Sequence, residues 1–153
     1  MNNLDYEPTK LDVDKARQKT REVSSRLLEM IEVKGKVTEP GPRIAPCDDE
    51  PDAKDLYVTR HPWSIYGLSE EEVIQGMENL RRGLPEHGWK ILRDGKSNSR
   101  AQDPEILAEN KKEKFAANFT ALRKTASGDT MIKVTVVSAC YRAPAGTDLD
   151  SEY

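Results

Sequence analysis

Two cysteines, Cys47 and Cys140, lie 93 positions apart and constrain this chain more than any other pair of residues. Cys47 follows Pro46 in a proline-rich, acidic stretch, whereas Cys140 stands near the end of the last strongly β-like run. Joined, they would tie a flexible connection to the end of a sheet and favour an exported protein, because disulfides persist in oxidising compartments. The alternative is two separate buried thiols in an intracellular chain. A bond closing a loop of that length removes roughly 4 to 5 kcal/mol of chain entropy from the unfolded state, comparable with the whole net stability of a small domain.

The 153 residues make one domain with room for a single core. Only 36% are hydrophobic and 33% are charged, so part of the length is expected to be solvated tail or loop. The 24 basic and 27 acidic residues are interspersed, leaving no basic field to neutralise a phosphate backbone and arguing against a nucleic-acid partner. No run of about 18 apolar residues crosses a membrane. Met1–Thr9 has neither the charged nor the apolar region of a signal peptide, so an exported protein is expected here in its mature form.

Residues 1–8 read as a disordered segment, 9–143 as one domain and 144–153 as a polar tail. Thr9, with Asp12 three residues on, resembles a helix N-cap. Val13, Ala16, Thr20, Val23, Leu27 and Ile31 then recur at helical spacing, with Gly35 as the residue that closes the helix. Five prolines and glycines from Pro40 to Pro51 mark a loop. Its acidic cluster, Asp48, Asp49, Glu50 and Asp52, lacks the glycine and distal glutamate of a calcium loop and reads as solvated. Leu56–Tyr66 alternates as a strand that Pro62 is expected to interrupt, giving an edge or a bulge. Ser69-Glu70-Glu71-Glu72 is a capping box opening a second helix, which Pro85 and Gly88 end. Strands follow at Trp89–Arg93, at Phe115–Leu122 and at Ile132–Tyr141; Glu105–Glu109 suits a strand or a short helix, and its closely following turn favours strand. The expected fold is α+β, in the order α-β-α-β-β-β-β: a two-layer sandwich with an antiparallel sheet of four to five strands and two helices on one face.

Signatures of catalysis and cofactors are missing. His61 and His87 are the two histidines, and neither stands at metal-ligand spacing with another ligand. Nucleophile elbows, phosphate loops and dinucleotide glycine patterns do not occur, so no cofactor and no metal is expected. His87, at a predicted helix end, reads as a dipole contact. His61, Trp63 and Tyr66 concentrate aromatic side chains around Pro62 and form a candidate binding rim; Trp63 reads equally as a core anchor beneath the second helix.

Three blocks carry a family likeness: Arg60-His61-Pro62-Trp63-Ser64-Ile65-Tyr66-Gly67, Leu84-Pro85-Glu86-His87-Gly88-Trp89-Lys90, and Val136-Val137-Ser138-Ala139-Cys140-Tyr141-Arg142 followed by Gly146-Thr147-Asp148. The chain resembles the small secreted lipoproteins of Streptomyces and related actinobacteria. The resemblance implies a precursor with a signal peptide and a lipidated cysteine, attached to the outer face of the cell membrane; no residue of this sequence matches that cysteine. The resulting expectation is a non-enzymatic extracytoplasmic domain, bound to the membrane only through that anchor, whose partner is an envelope protein or cell-wall component. Two alternatives stand beside it: a carrier with an apolar pocket between sheet and helices, and a hydrolase or catalytic accessory using His61.

Overall fold

The structure, a computed structural model, describes residues 6–38, 40–47, 53–96, 102–122 and 130–149. The elements run β1 (Thr9–Lys10), α1 (Val13–Ile31), β2 (Lys36–Val37), β3 (Arg43–Pro46), β4 (Leu56–Tyr66), α2 (Glu70–Glu86), β5 (Lys90–Lys96), β6 (Pro104–Asn110), β7 (Phe115–Leu122), β8 (Met131–Ser138) and β9 (Tyr141–Arg142). The fold is α+β, with both helices on one face of the sheet, but two expectations are corrected. The sheet has nine strands among the described residues rather than four to five, and it is mixed, because β1 pairs with β9 in parallel. The additional strands β1, β2, β3 and β9 are two to four residues long. So short a segment shows no alternation, and pairing with β4 or β9 is what makes it a strand.

The sheet order is β1-β9-β4-β8-β7-β6-β5, with β3 and β2 one after the other along the other flank of β4. From β5 to β8 it is a meander of antiparallel pairs. Glu105–Glu109 therefore belongs to a strand, β6. β9 continues the line of β8 along β4 after one extra residue: Arg60 faces Val137, yet three positions back Tyr57 faces Tyr141. That irregularity holds Ala139 and Cys140 out of the ladder.

Strict alternation along β7 and β8 buries Phe115, Ala117, Phe119 and Ala121 with Ile132, Val134 and Val136 beneath the helices. The opposite face carries Asn118, Thr120, Lys133 and Thr135, as an antiparallel sheet covered on one side requires. α1 and α2 supply Val23, Leu27 and Ile31, and Val73, Met77, Leu80 and Leu84, to the same core.

Helix ends differ from the reading in an instructive way. α1 begins at Asp12, whose carboxylate accepts the Asp14 N–H at 3.2 Å, while Thr9 belongs to β1. Glu32, at φ 51°, takes the left-handed position expected of Gly35. Gly35 serves close packing instead: a Cβ there would stand 2.8 Å from the Tyr66 carbonyl oxygen and 2.7 Å from Leu68 Cδ2. At α2 the capping box forms as read, with Ser69 Oγ accepting from Glu72 N at 3.1 Å and Glu72 Oε1 accepting from Ser69 N at 2.9 Å. Pro85 lies in the last turn, and Gly88, at φ 85°, closes it by letting Trp89 N donate back to the Leu84 carbonyl. Buried Asn79 on α2 donates to the Ile31 carbonyl at 2.9 Å, satisfying one of the free acceptors at the end of α1 and locking the helices together.

Pro62 does not interrupt β4, which pairs with β8 without a break from Arg60 to Tyr66. Ser64 exchanges hydrogen bonds with Thr38 on the β2–β3 flank. Residue 62, two positions away, turns its backbone the same way, and there β4 is unpaired, because β3 ends opposite Arg60 and β2 pairs only with Ile65 and Tyr66. The missing N–H thus falls where no strand among the described residues would receive it.

Replacing Gly35 by alanine forces its Cβ against a backbone carbonyl, and should lower stability by about 1–3 kcal/mol. Chemical denaturation of Gly35→Ala reads this; an unchanged midpoint would contradict the close packing.

Candidate functional site

β4 presents Tyr57, Thr59, His61, Trp63 and Ile65 to α1, and Leu56, Val58, Arg60, Pro62, Ser64 and Tyr66 to the other face. Four residues of helix rise about 6 Å and two residues of strand about 6.6 Å, so side chains spaced i, i+4 on α1 stay in step with those spaced i, i+2 on β4. The two elements therefore meet as a series of rungs. Thr20 Oγ1 lies 2.6 Å from Thr59 Oγ1, and Ser24 Oγ 2.7 Å from His61 Nδ1. Since the Thr20 hydroxyl donates to the Ala16 carbonyl, Thr59 donates to Thr20. Apolar groups close both ends: Val13 and Ala16 around Tyr57, and Leu27 and Ile31 around Trp63 and Ile65.

Of the rim read from the sequence, His61 and Trp63 stand together, their rings 6.4 Å apart, while Tyr66 lies on the opposite face. Trp63 is 4% exposed and belongs to the main core, and its indole N–H is sealed from solvent with no acceptor among the described residues. Beside it a hollow of about 230 Å³ is lined by Arg21, Ser25, Val37, Thr38, Gly41 and His61.

His61 is held at both nitrogens. Nε2–H donates to the Pro40 carbonyl at 3.0 Å, so in the neutral ring Nδ1 accepts the Ser24 hydroxyl. Half-burial pushes the imidazole below its ordinary pKa of 6.5; the Pro40 carbonyl works against this and the nearby Arg21 guanidinium adds to it. The 40–42 segment is fastened to α1 as well, with Arg17 Nε donating to the Pro42 carbonyl at 3.0 Å. His87 caps the end of α2 through Nδ1 and the Gly83 carbonyl at 2.8 Å, the structural role read for it.

Cys47 and Cys140 form the disulfide, with Cα atoms 5.7 Å apart. Pro46 and Tyr141 both pair with Tyr57, one on each flank of β4. Chains flanking a common strand lie about 9.6 Å apart, so the two segments leave the sheet and converge over β4. The bond packs on Leu56, Val58 and Ala53, on the face turned away from the helices. Tyr6 joins this cluster, its hydroxyl accepting the Cys140 N–H at 2.8 Å. On the helix side of the same strand end, Tyr57 donates to the Leu11 carbonyl at 2.6 Å and packs against Tyr141 at 5.7 Å. Burial raises both phenols, that of Tyr141 to about 12.

The acidic cluster at Asp48–Asp52 lies outside the described residues, and among those described no three His, Cys, Asp or Glu side chains gather as a metal site. No helix among the described residues is long and apolar enough to cross a membrane. Ser24 and Arg21 escaped the sequence reading. Ser24 does stand four residues beyond Thr20 on the buried stripe, and two hydroxyls at that spacing were the available signal for polar rungs. No protein-family model, curated protein or solved structure matches the chain.

Because the fold disfavours charged His61, its contribution is fully present above pH 6.5 and is lost as pH falls through the lowered folded value. Stability should therefore decline on acidification below 6.5, and His61→Gln should remove part of that decline. Thermal unfolding at a series of pH values checks this; identical profiles for the two proteins would exclude it.

Proposed function

We propose that this protein is a non-enzymatic domain working outside the cytoplasmic membrane, lipid-anchored in its precursor, where it binds a component of the cell envelope or a protein partner. The observation that carries the reading is the Cys47–Cys140 bond, since oxidised structural cysteines belong to oxidising compartments. The anchor rests on the likeness of the three sequence blocks to actinobacterial lipoproteins.

The carrier reading has less behind it. A cleft of about 660 Å³ is present, but its lining includes Arg26, Glu29, Glu32, Lys112 and Glu113, which suits a polar ligand better than an apolar cargo. A catalytic reading has one observation in its favour, the Ser24 hydroxyl within hydrogen-bond reach of His61. Of the backbone groups on the two elements that carry the pair, N–H groups in the middle of α1 belong to the helical ladder, Pro62 has none, and that of Ser64 is taken by Thr38 Oγ1, which leaves them unsuited to stabilise an oxyanion. A hydroxyl–imidazole contact in this setting is a rung between helix and strand.

The test is the redox state of the protein recovered from its own cell, unfolded without reductant and treated with a thiol-reactive mass tag. No tag should be incorporated, and the full-length product should fractionate with the membrane. Two tags per chain together with a soluble cytoplasmic product would overturn the reading.

A further inference from the structure

The 660 Å³ cleft lies between α1, the end of α2 and the turn joining β6 to β7, and shares no lining residue with the His61 hollow. Its apolar wall is Val23, Met30 and the edge of Trp89, which is 6% exposed. Set into it is Asn110, also 6% exposed, whose side chain is oriented by the turn: Oδ1 accepts the Glu113 N–H at 3.0 Å. That bond directs Nδ2 towards Gly88, where a Cβ would lie 3.8 Å away. Nδ2 makes no hydrogen bond among the described residues, so this donor, on a side chain otherwise largely buried, opens onto the cleft without a protein acceptor. A ligand acceptor entering the cleft can take the place of water on it.

The chemistry of the remaining lining narrows the class of ligand. Arg26 and Lys112 on the rim are interspersed with Glu29, Glu32 and Glu113, so no single sign of charge dominates and neither an anion nor a cation is selected. Acceptors and donors alternating around an apolar wall match hydroxyl groups, which do both. An acetamido group would offer both an acceptor for Asn110 Nδ2 and a methyl for the wall of Val23, Met30 and Trp89. We propose that this cleft binds an N-acetylated amino-sugar segment, such as a cell-wall glycan presents. The proposal deepens the binding role given above by naming the ligand class, and it rests on that role.

The test is titration of the purified, oxidised protein with N,N′-diacetylchitobiose and, separately, with cellobiose, which has the same ring framework and no acetamido group. Calorimetry supplies the affinity and ¹⁵N spectra the location. We expect the acetylated disaccharide to bind at least about tenfold more tightly than cellobiose and to shift the Asn110 side-chain amide and the Trp89 indole resonance, leaving that of Trp63 in place. Asn110→Asp keeps an acceptor for Glu113 N and removes the donor; it should weaken binding about tenfold while the variant melts as a folded protein. No binding, equal binding of the two sugars, or shifts confined to other residues in the wild type would each overturn the proposal. Because these measurements use isolated protein, they fail or succeed independently of the compartment, which the thiol test decides.

Discussion

The short strands flanking the N-terminal end of β4 depend on the disulfide that crosses it. β3 and β9 flank that strand and pair with it over only four and two residues, too few ladder bonds to stay docked on their own. Joining Cys47 to Cys140 makes each flank hold the other, and the bond itself fills the outer surface over Leu56 and Val58 that the helices do not reach. Among the described residues, β1 in turn has β9 as its one strand partner. The mixed character of the sheet, which comes from that one parallel pair, is therefore a dependent of the same bond.

On its helix-facing side β4 is held by different means along its length. There α1 docks through matched repeats of helix and strand, with two polar rungs between apolar clusters. A hydroxyl pair and a hydroxyl–imidazole pair stabilise little in net terms, but leaving any member unmatched is costly, so they specify one register between the elements. This register fixes His61 beside the 40–42 segment and places the C-terminal half of α1 where Val23, Arg26 and Met30 wall the larger cleft. Both hollows are by-products of one docking geometry.

Much of this was legible before the fold was known. The capping box at Ser69, the alternation in β7 and β8, the stripe on α1 and the cysteine pairing all express rules local to a few residues, or to two sulfurs with no other partner. What stayed hidden depends on neighbours. Pro62 read as a break because its lost N–H matters only if a strand stands opposite, and none among the described residues does. Gly35 read as a helix terminator because the carbonyl of Tyr66, 31 positions later, could not be foreseen beside it. Alternation separates Tyr66 from His61 and Trp63, a period-2 consequence obscured by assuming that Pro62 disturbed the strand. Asn110 carries no signal in the sequence; its spare amide becomes informative only once the fold sets it beside Gly88 in the cleft.

The central claim, that the bond across β4 fastens its flanking strands, is tested most directly by amide hydrogen exchange before and after reduction of the intact protein. Reduction should expose the amides of β1, β3 and β9 while the β6–β8 meander keeps its protection. Loss of protection spread evenly through the sheet, or none in the flanking strands, would contradict it.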